Sequence, residues 1–172
     1  SEKFYLNMAV SNSIRRLLQD YVPQLEVKWP NDLIAPEYGR IGGILIENTF
    51  SGQEWEYAVV GIGLNINQLV FESSNAASIL LITSSEVELE ELFRLLIIQI
   101  EQGYIQLKKG KWNEIKAEYL MHLYRMDIWA KYSANQEQFS GKIVGISADG
   151  KMGMELESGE VVLFGLKEIA FL

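Results

Sequence analysis

Residues 41–48 read IGGILIEN, and residues 56–66 read EYAVVGIGLNI. Both are strand-like runs dominated by Ile, Leu and Val. Between them Phe50-Ser51-Gly52-Gln53 has the composition of a hairpin turn, so the two runs are expected to pair. Each run carries glycines inside the strand. A glycine there weakens the strand, and it usually marks a bulge or the close approach of a ligand or another backbone. Two such strands side by side predict a surface on which a ligand can lie flat against the main chain.

Upstream, residues 25–29 (LEVKW) form a short alternating strand, with Leu25, Val27 and Trp29 on one face and Glu26 and Lys28 on the other. A loop is expected from 30 to 40, where two prolines and a glycine punctuate the chain. Residues 3–20 read as an amphipathic helix. Phe4, Met8, Ile14, Leu17, Leu18 and Tyr21 fall on one stripe, Arg15, Arg16 and Asp20 face away, and Pro23 stops it. Downstream, 67–84 is loop-like. Ser85 followed by Glu88 reads as a capping box opening a helix whose wide apolar face (Leu89, Leu92, Phe93, Leu96, Ile97, Ile100, Ile105) is expected to be largely buried. Lys108-Lys109-Gly110 ends it, and a second helix follows at about 111–124. From Met126 the texture changes to short alternating runs separated by Ala148-Asp149-Gly150 and Glu157-Ser158-Gly159, the pattern of a small antiparallel β module.

Composition narrows the chemistry. Apolar residues make up 48% of the 172, enough for a packed core. The net charge is −8, which argues against a general nucleic-acid binder. With no cysteine and one histidine, thiolate nucleophiles, disulfides, zinc–thiolate sites and His clusters are excluded. No apolar run reaches the roughly 18 residues that span a bilayer, and residues 1–15 lack a signal-peptide pattern. The expectation is a soluble cytoplasmic protein.

Three clusters carry the candidate chemistry. In Lys28-Trp29-Pro30-Asn31-Asp32, proline stiffens a turn and holds the two polar side chains that follow. A plain Pro-Asn-Asp turn is the equal alternative. In Gly61-Ile62-Gly63-Leu64-Asn65 the glycines admit a ligand and Asn65 is a polar end-stop. This is not a dinucleotide fingerprint, because Ile66 stands where the last glycine belongs and no helix signal follows. Arg40 precedes the Gly42-Gly43 strand and could meet an anion, although an isolated arginine there is more often a solvated charge. His122 and the methionines read as structural.

KWPND, then GGILIE, then VVGIGLNIN, in this order, resembles the catalytic domain of biotin protein ligase, that is, biotin–[acetyl-CoA-carboxylase] ligase. WAKY, GKIVGI and LFGLKEIAFL resemble that family's C-terminal SH3-like domain. The resemblance implies an α+β fold: a mixed sheet with helices, related to class II aminoacyl-tRNA synthetases, at residues 1–126, and a small SH3-like β-barrel at 127–172. It implies activation of biotin by ATP with Mg²⁺ to biotinyl-5′-AMP, then transfer to a lysine of a biotin carboxyl carrier protein. Carried over by position, Asp32 and Arg40 are catalytic. Gly43, Ile44 and Leu45 bind biotin, and Asn31, Gly61, Gly63 and Asn65 bind nucleotide. Asn65 is placed near phosphate and metal, and no residue is assigned as a metal ligand. Neither a nucleic acid nor a membrane is expected as a partner of this chain, and a homodimer is left open.

Two departures from the family pattern stand out. The family's upstream Gly-Arg-Gly-Arg-x-Gly loop, which clamps biotin and phosphate, has no counterpart in these residues, and Arg40 stands where the family has lysine. Omission of part of a longer protein is favoured over a degenerate paralogue. With Arg40 as the main cation near the ligand, these residues alone are expected to bind biotin weakly. A lipoate or octanoate ligase or transferase of the same fold, and a non-catalytic biotin- or adenylate-binding module, are the alternatives.

Overall fold

The structure is a computed structural model and describes residues 3–52 and 54–172. Helix α1 (Lys3–Leu18) precedes four strands, β1 (Glu26–Lys28), β2 (Asp32–Ala35), β3 (Gly39–Ser51) and β4 (Glu54–Leu64), joined antiparallel in the order β1-β2-β3-β4. The glycine-rich runs are β3 and β4, paired as expected. Gly52 takes the left-handed conformation (φ 61°) that tight turns require, and Gln53 of the expected turn lies outside the described residues. The expected loop at 30–40 is corrected: Asp32–Ala35 pairs with strands on both sides and is itself a strand. Its alternation of buried Leu33 and Ala35 with half-buried Asp32 and Ile34 was masked by the flanking prolines.

Helix α1 packs on one face of this sheet and against α3 (Leu89–Lys108) and α4 (Trp112–Met121). It is buried on more than its apolar stripe. Ser11, Asn12 and Ser13 are fully buried, and each side chain makes a hydrogen bond within the protein, although Asn12 Oδ1 finds no partner. Asn12 Nδ2 donates to the Ile115 carbonyl at 2.9 Å, and Ser13 Oγ donates to the Ala9 carbonyl at 2.8 Å. Gly103 of α3 lies against this point; a Cβ there would meet Ser13 Oγ and the Ala9 carbonyl, so glycine is what lets the two helices approach. Arg15 does not face away as expected. It is buried, 3.8 Å from Glu118 of α4, because α4 covers the side of α1 that would otherwise be wet. Burial pulls its pKa below the ordinary arginine value, against the opposing charge of Glu118.

Two further expectations are corrected. The stretch 67–84 holds a short helix α2 (Ile79–Thr83), capped by Ser78, whose Oγ accepts from the Leu81 N–H at 3.2 Å. Helix α3 starts at Leu89 rather than at Ser85. Glu88 is itself the cap, its carboxylate accepting from the N–H groups of Glu90 and Glu91. The wide apolar face of α3 is not buried either. Leu92, Gly103 and Leu107 are covered, while Phe93 is 63% and Ile97 54% exposed, because α1 covers only a narrow stripe of α3.

Strands β5 (Trp129–Ala134), β6 (Glu137–Ile146), β7 (Met152–Leu156), β8 (Val161–Phe164) and β9 (Ala170–Phe171) form a second antiparallel sheet in the order β8-β7-β6-β5-β9. Gly150 and Gly159 turn the chain at the two expected turns with φ of 89° and 84°. The strands of the two sheets do not interleave in sequence, and on that basis we propose a domain division between residues 126 and 127. The second sheet is tied back to β1: Trp29 is buried and its Nε1 donates to the Gly150 carbonyl at 3.0 Å. Among the described residues no helix is long and apolar enough to cross a membrane.

Candidate functional site

Register places the informative residues in one row across the first sheet. Lys28 on β1 pairs with Asp32 on β2, Asp32 with Gly43 on β3, and Gly43 with Gly63 on β4. Side chains directly opposite in paired strands share a face. One face of the sheet therefore carries a cation, a carboxylate and two positions without side chains. The next pair along, Leu45 with Gly61, extends the shelf; Leu45 is 61% exposed on it. A Cβ at Gly63 would meet no protein atom within 4 Å, so the shelf is open there. A Cβ at Gly43 would fall on the Arg40 guanidinium.

Arg40 reaches over Gly43 to Asp32, Nη2 to Oδ1 at 2.9 Å, with both side chains partly exposed. An ion pair this open to water holds by about 0–1 kcal/mol, so a bound anion can compete for the guanidinium. The Arg40 backbone is fixed from both sides: its N–H donates to the Asn75 carbonyl at 2.7 Å, and its carbonyl accepts from Ala77 at 3.0 Å and from Asn65 Nδ2 at 3.2 Å. Asn65 N–H in turn donates to the Ile41 carbonyl at 2.7 Å. A hollow of about 310 Å³ results, lined by Arg40, Gly42, Gly43, Gly63, Leu64, Asn65 and Ala76. A larger hollow of about 710 Å³ lies between α1, β4, α3 and α4 and is mostly apolar, with Glu56 and Lys108 as the charges among the described residues. The chemistry-bearing residues line the smaller one.

Of the residues expected at the site, Arg40, Gly43, Gly63 and Asn65 line this hollow, Asp32 pairs with Arg40 at its side, and Gly61 and Leu45 lie farther along the shelf. Ile44 and Asn31 are placed differently. Ile44 alternates to the opposite face, where its side chain is buried in the core, leaving its backbone for any ligand. Asn31 is committed to β3: its amide donates to the Ile44 carbonyl, and its own carbonyl accepts from the Ile44 N–H at 2.9 Å. His122 serves the frame, its carbonyl accepting from Val27 N–H at 2.8 Å.

Lys28 was not counted among the site cations in the sequence. The signal was present: Lys28 and Asp32 flank the three residues Trp29-Pro30-Asn31, and closing these as a tight hairpin sets the two opposite each other. Burial pulls the Lys28 pKa below the usual lysine value. Asp32 works against that, and Arg125 and Arg40 add to it.

Among the described residues no group of three His, Cys, Asp or Glu side chains could hold a metal ion, and Asp32, the carboxylate beside the hollow, is paired with Arg40.

No protein-family model matches the chain. Curated proteins similar in sequence include two biotin ligases. The human biotin–protein ligase is 33% identical over 61 residues, 36% of this chain and 8% of that protein. The bifunctional ligase/repressor BirA of Bacillus spizizenii is 26% identical over 143 residues, 79% of this chain and 43% of that protein. The chain thus spans less than half the length of these relatives. The biotin protein ligase of Aquifex aeolicus superposes in its apo form with a TM-score of 0.77 over 98% of this chain and 75% of that one, at 21% identity. In complex with biotin and ATP it superposes at 0.74 over 98% and 71%, at 22% identity. At these identities the superpositions establish the fold. In sequence over part of its length, and in fold over nearly all of it, the chain is similar to biotin protein ligases.

Proposed function

We propose that the complete protein activates biotin with ATP to biotinyl-5′-AMP and transfers the biotinyl group to a lysine of a carboxylase carrier domain. The observation that carries this reading is the row Lys28–Asp32–Gly43–Gly63, with Arg40 poised over it beside a hollow of about 310 Å³. In the first step a biotin carboxylate oxygen attacks the α-phosphorus of ATP and pyrophosphate leaves. In the second the carrier ε-amine attacks the acyl carbon of the mixed anhydride, AMP leaves and the amine loses a proton. Neither step needs a protein nucleophile, in keeping with a chain that lacks cysteine. The protein's share is orientation and charge stabilisation.

Gly43, Gly61 and Gly63 let the flat ligand approach the main chain, and Leu45 gives it an apolar contact. Arg40 pairs with the α-phosphate charge, since a phosphate left unpaired away from water is costly. Drawing Arg40 onto the phosphate releases Asp32, which then holds the incoming ammonium or takes its proton. Asn65 fixes the Arg40 carbonyl at the phosphate end. Asn31 keeps β3 in register beneath the ligand. Among the described residues no cluster of three acidic or histidine side chains offers Mg²⁺ a site, and the metal is given none of these roles.

The test is transfer in vitro: the complete protein, biotin, ATP and a biotin carboxyl carrier domain, with the carrier lysine analysed by mass spectrometry. The expected result is one biotinyl addition that depends on both biotin and ATP. Modification by lipoate or octanoate in preference to biotin would replace this reading with the acyl-transferase alternative. Binding of biotin without modification of any carrier would leave a sensor.

A further inference from the structure

The C-terminal sheet reaches the site through one residue. The Lys28 ammonium, across from Asp32, lies 4.8 Å from the centroid of the Phe171 ring on β9. A cation over an aromatic face is attracted by the ring's quadrupole, more strongly where water is excluded. The ring itself is held. Phe171 pairs with Tyr132 in the β5–β9 ladder, the two rings meet edge-on at 5.2 Å, and Tyr124 lies 6.2 Å away. Arg125 Nη1 donates to the Leu172 carbonyl at 3.0 Å, which fixes the chain just beyond the ring. Beside Lys28, Trp29 makes its own bond to the second sheet at Gly150. Two consecutive residues of β1 and its turn are thus anchored in the C-terminal sheet, and the first of them faces the carboxylate of the site.

Asp32 has a cation on either side, and the two are not equivalent: Arg40 is its ion-pair partner at 2.9 Å, whereas Lys28 is its cross-strand neighbour and acts at longer range. Arg40 lines the hollow and is half-exposed; Lys28 is more deeply placed and held from behind by an aromatic ring. An anionic ligand in the hollow competes for Arg40 and does not compete for a lysine on the far side of Asp32. We infer that Lys28 is a positioning residue: clasped by Phe171, it keeps the Asp32 carboxylate in place when Arg40 turns to the ligand phosphate, so that the C-terminal sheet acts on the transfer step. This rests on the proposed ligase reaction for its kinetic consequence. The contact itself stands apart from that reaction. The charged groups facing Lys28 are Asp32 on β2, Arg40 on β3 and Arg125 after α4.

The experiment uses Lys28→Met, which keeps the stem and removes the charge, Phe171→Leu, which keeps an apolar contact without the ring face, and Lys28→Arg. Two rates are measured in the complete protein: ATP–pyrophosphate exchange with biotin, and transfer to a carrier lysine. Losing a partly exposed cation beside a carboxylate is worth up to about fivefold. Transfer is expected to fall by that much more than exchange in Lys28→Met, by less in Phe171→Leu, and to recover in part with Lys28→Arg. Equal loss of both rates, or no loss, would overturn the inference. A measurement independent of activity, and of whether Lys28→Met folds, is the titration of Lys28 followed by its ¹³Cε resonance in wild type and Asp32→Asn. Removing the carboxylate should lower the midpoint, and an unchanged midpoint would also overturn it. A wild-type protein that shows no exchange with biotin refutes the ligase proposal, while the titration still decides whether Lys28 and Asp32 are coupled.

Discussion

Replacing Gly63 with valine asks whether the shelf is a ligand surface or only a bulged core strand. Gly63 lies inside β4, pairs with Gly43 and has an extended backbone, so a β-branched residue fits the strand without strain. A Cβ at this position has no protein atom within 4 Å. The substitution should therefore leave stability unchanged or raise it, since glycine within a strand costs roughly 0.5–1 kcal/mol relative to alanine. For a ligand the outcome is the reverse. The side chain stands in the hollow of about 310 Å³ and on the row that runs through Gly43 to Asp32 and Lys28. Forcing extra carbon atoms into a fitted space costs roughly 1–3 kcal/mol, which is about five- to 150-fold in binding, and more if the flat ligand cannot tilt away. The assay pairs thermal melting with ATP–pyrophosphate exchange in the presence of biotin. A variant that melts no lower than wild type and exchanges at less than about a tenth of its rate fits the account. A folded variant exchanging at the wild-type rate would refute it and return β4 to a purely structural role.

Other perturbations follow from the same geometry. Asp32→Asn should slow transfer to a carrier lysine by about 10²–10⁴-fold while weakening biotin binding far less, as steady-state transfer and calorimetry would show; full activity removes Asp32 from the mechanism. Gly103→Leu drives a side chain into Ser13 and the Ala9 carbonyl at the α1–α3 crossing, so a lower melting temperature equivalent to about 1–3 kcal/mol is expected; an unchanged one would mean that the helices are not in contact there. His122 has its pKa pulled below the ordinary histidine value, first by burial and then by Arg15, against Glu118. A histidine with a depressed folded-state pKa contributes stability that is present above its unfolded value of about 6.5 and lost as pH falls through the folded value. The melting temperature should therefore drop on acidification below about pH 6.5, and His122→Gln should flatten that drop; an identical slope in the variant would show that other groups cause it.

Much of the site was legible because its parts are local in sequence. The glycine positions of β3 and β4 and the hairpin between them follow from composition, and pairing then brings Gly43 to Gly63 without further information. Arg40 and Asp32 were each legible as candidates, although their pairing was not, because the intervening stretch read as loop. Ile44 shows the limit of a motif carried over by position. Alternation puts it on the opposite face from Gly43 and Leu45, so of these three consecutive residues Ile44 can offer a ligand only its backbone. The burial of Arg15 and the exposure of Phe93 and Ile97 were illegible for a common reason. Periodicity tells which residues of a helix share a face, and only the tertiary neighbours decide how much of that face is covered.

The most direct measurement of the central claim is a crystal structure of the complete protein with biotin and ATP. The account predicts the adenylate lying over Gly43 and Gly63, its phosphate against the Arg40 guanidinium, with the 2.9 Å contact between Arg40 and Asp32 opened and Asp32 facing the acyl carbon. Ligand bound elsewhere, or bound on the shelf with the Arg40–Asp32 pair intact, would contradict it.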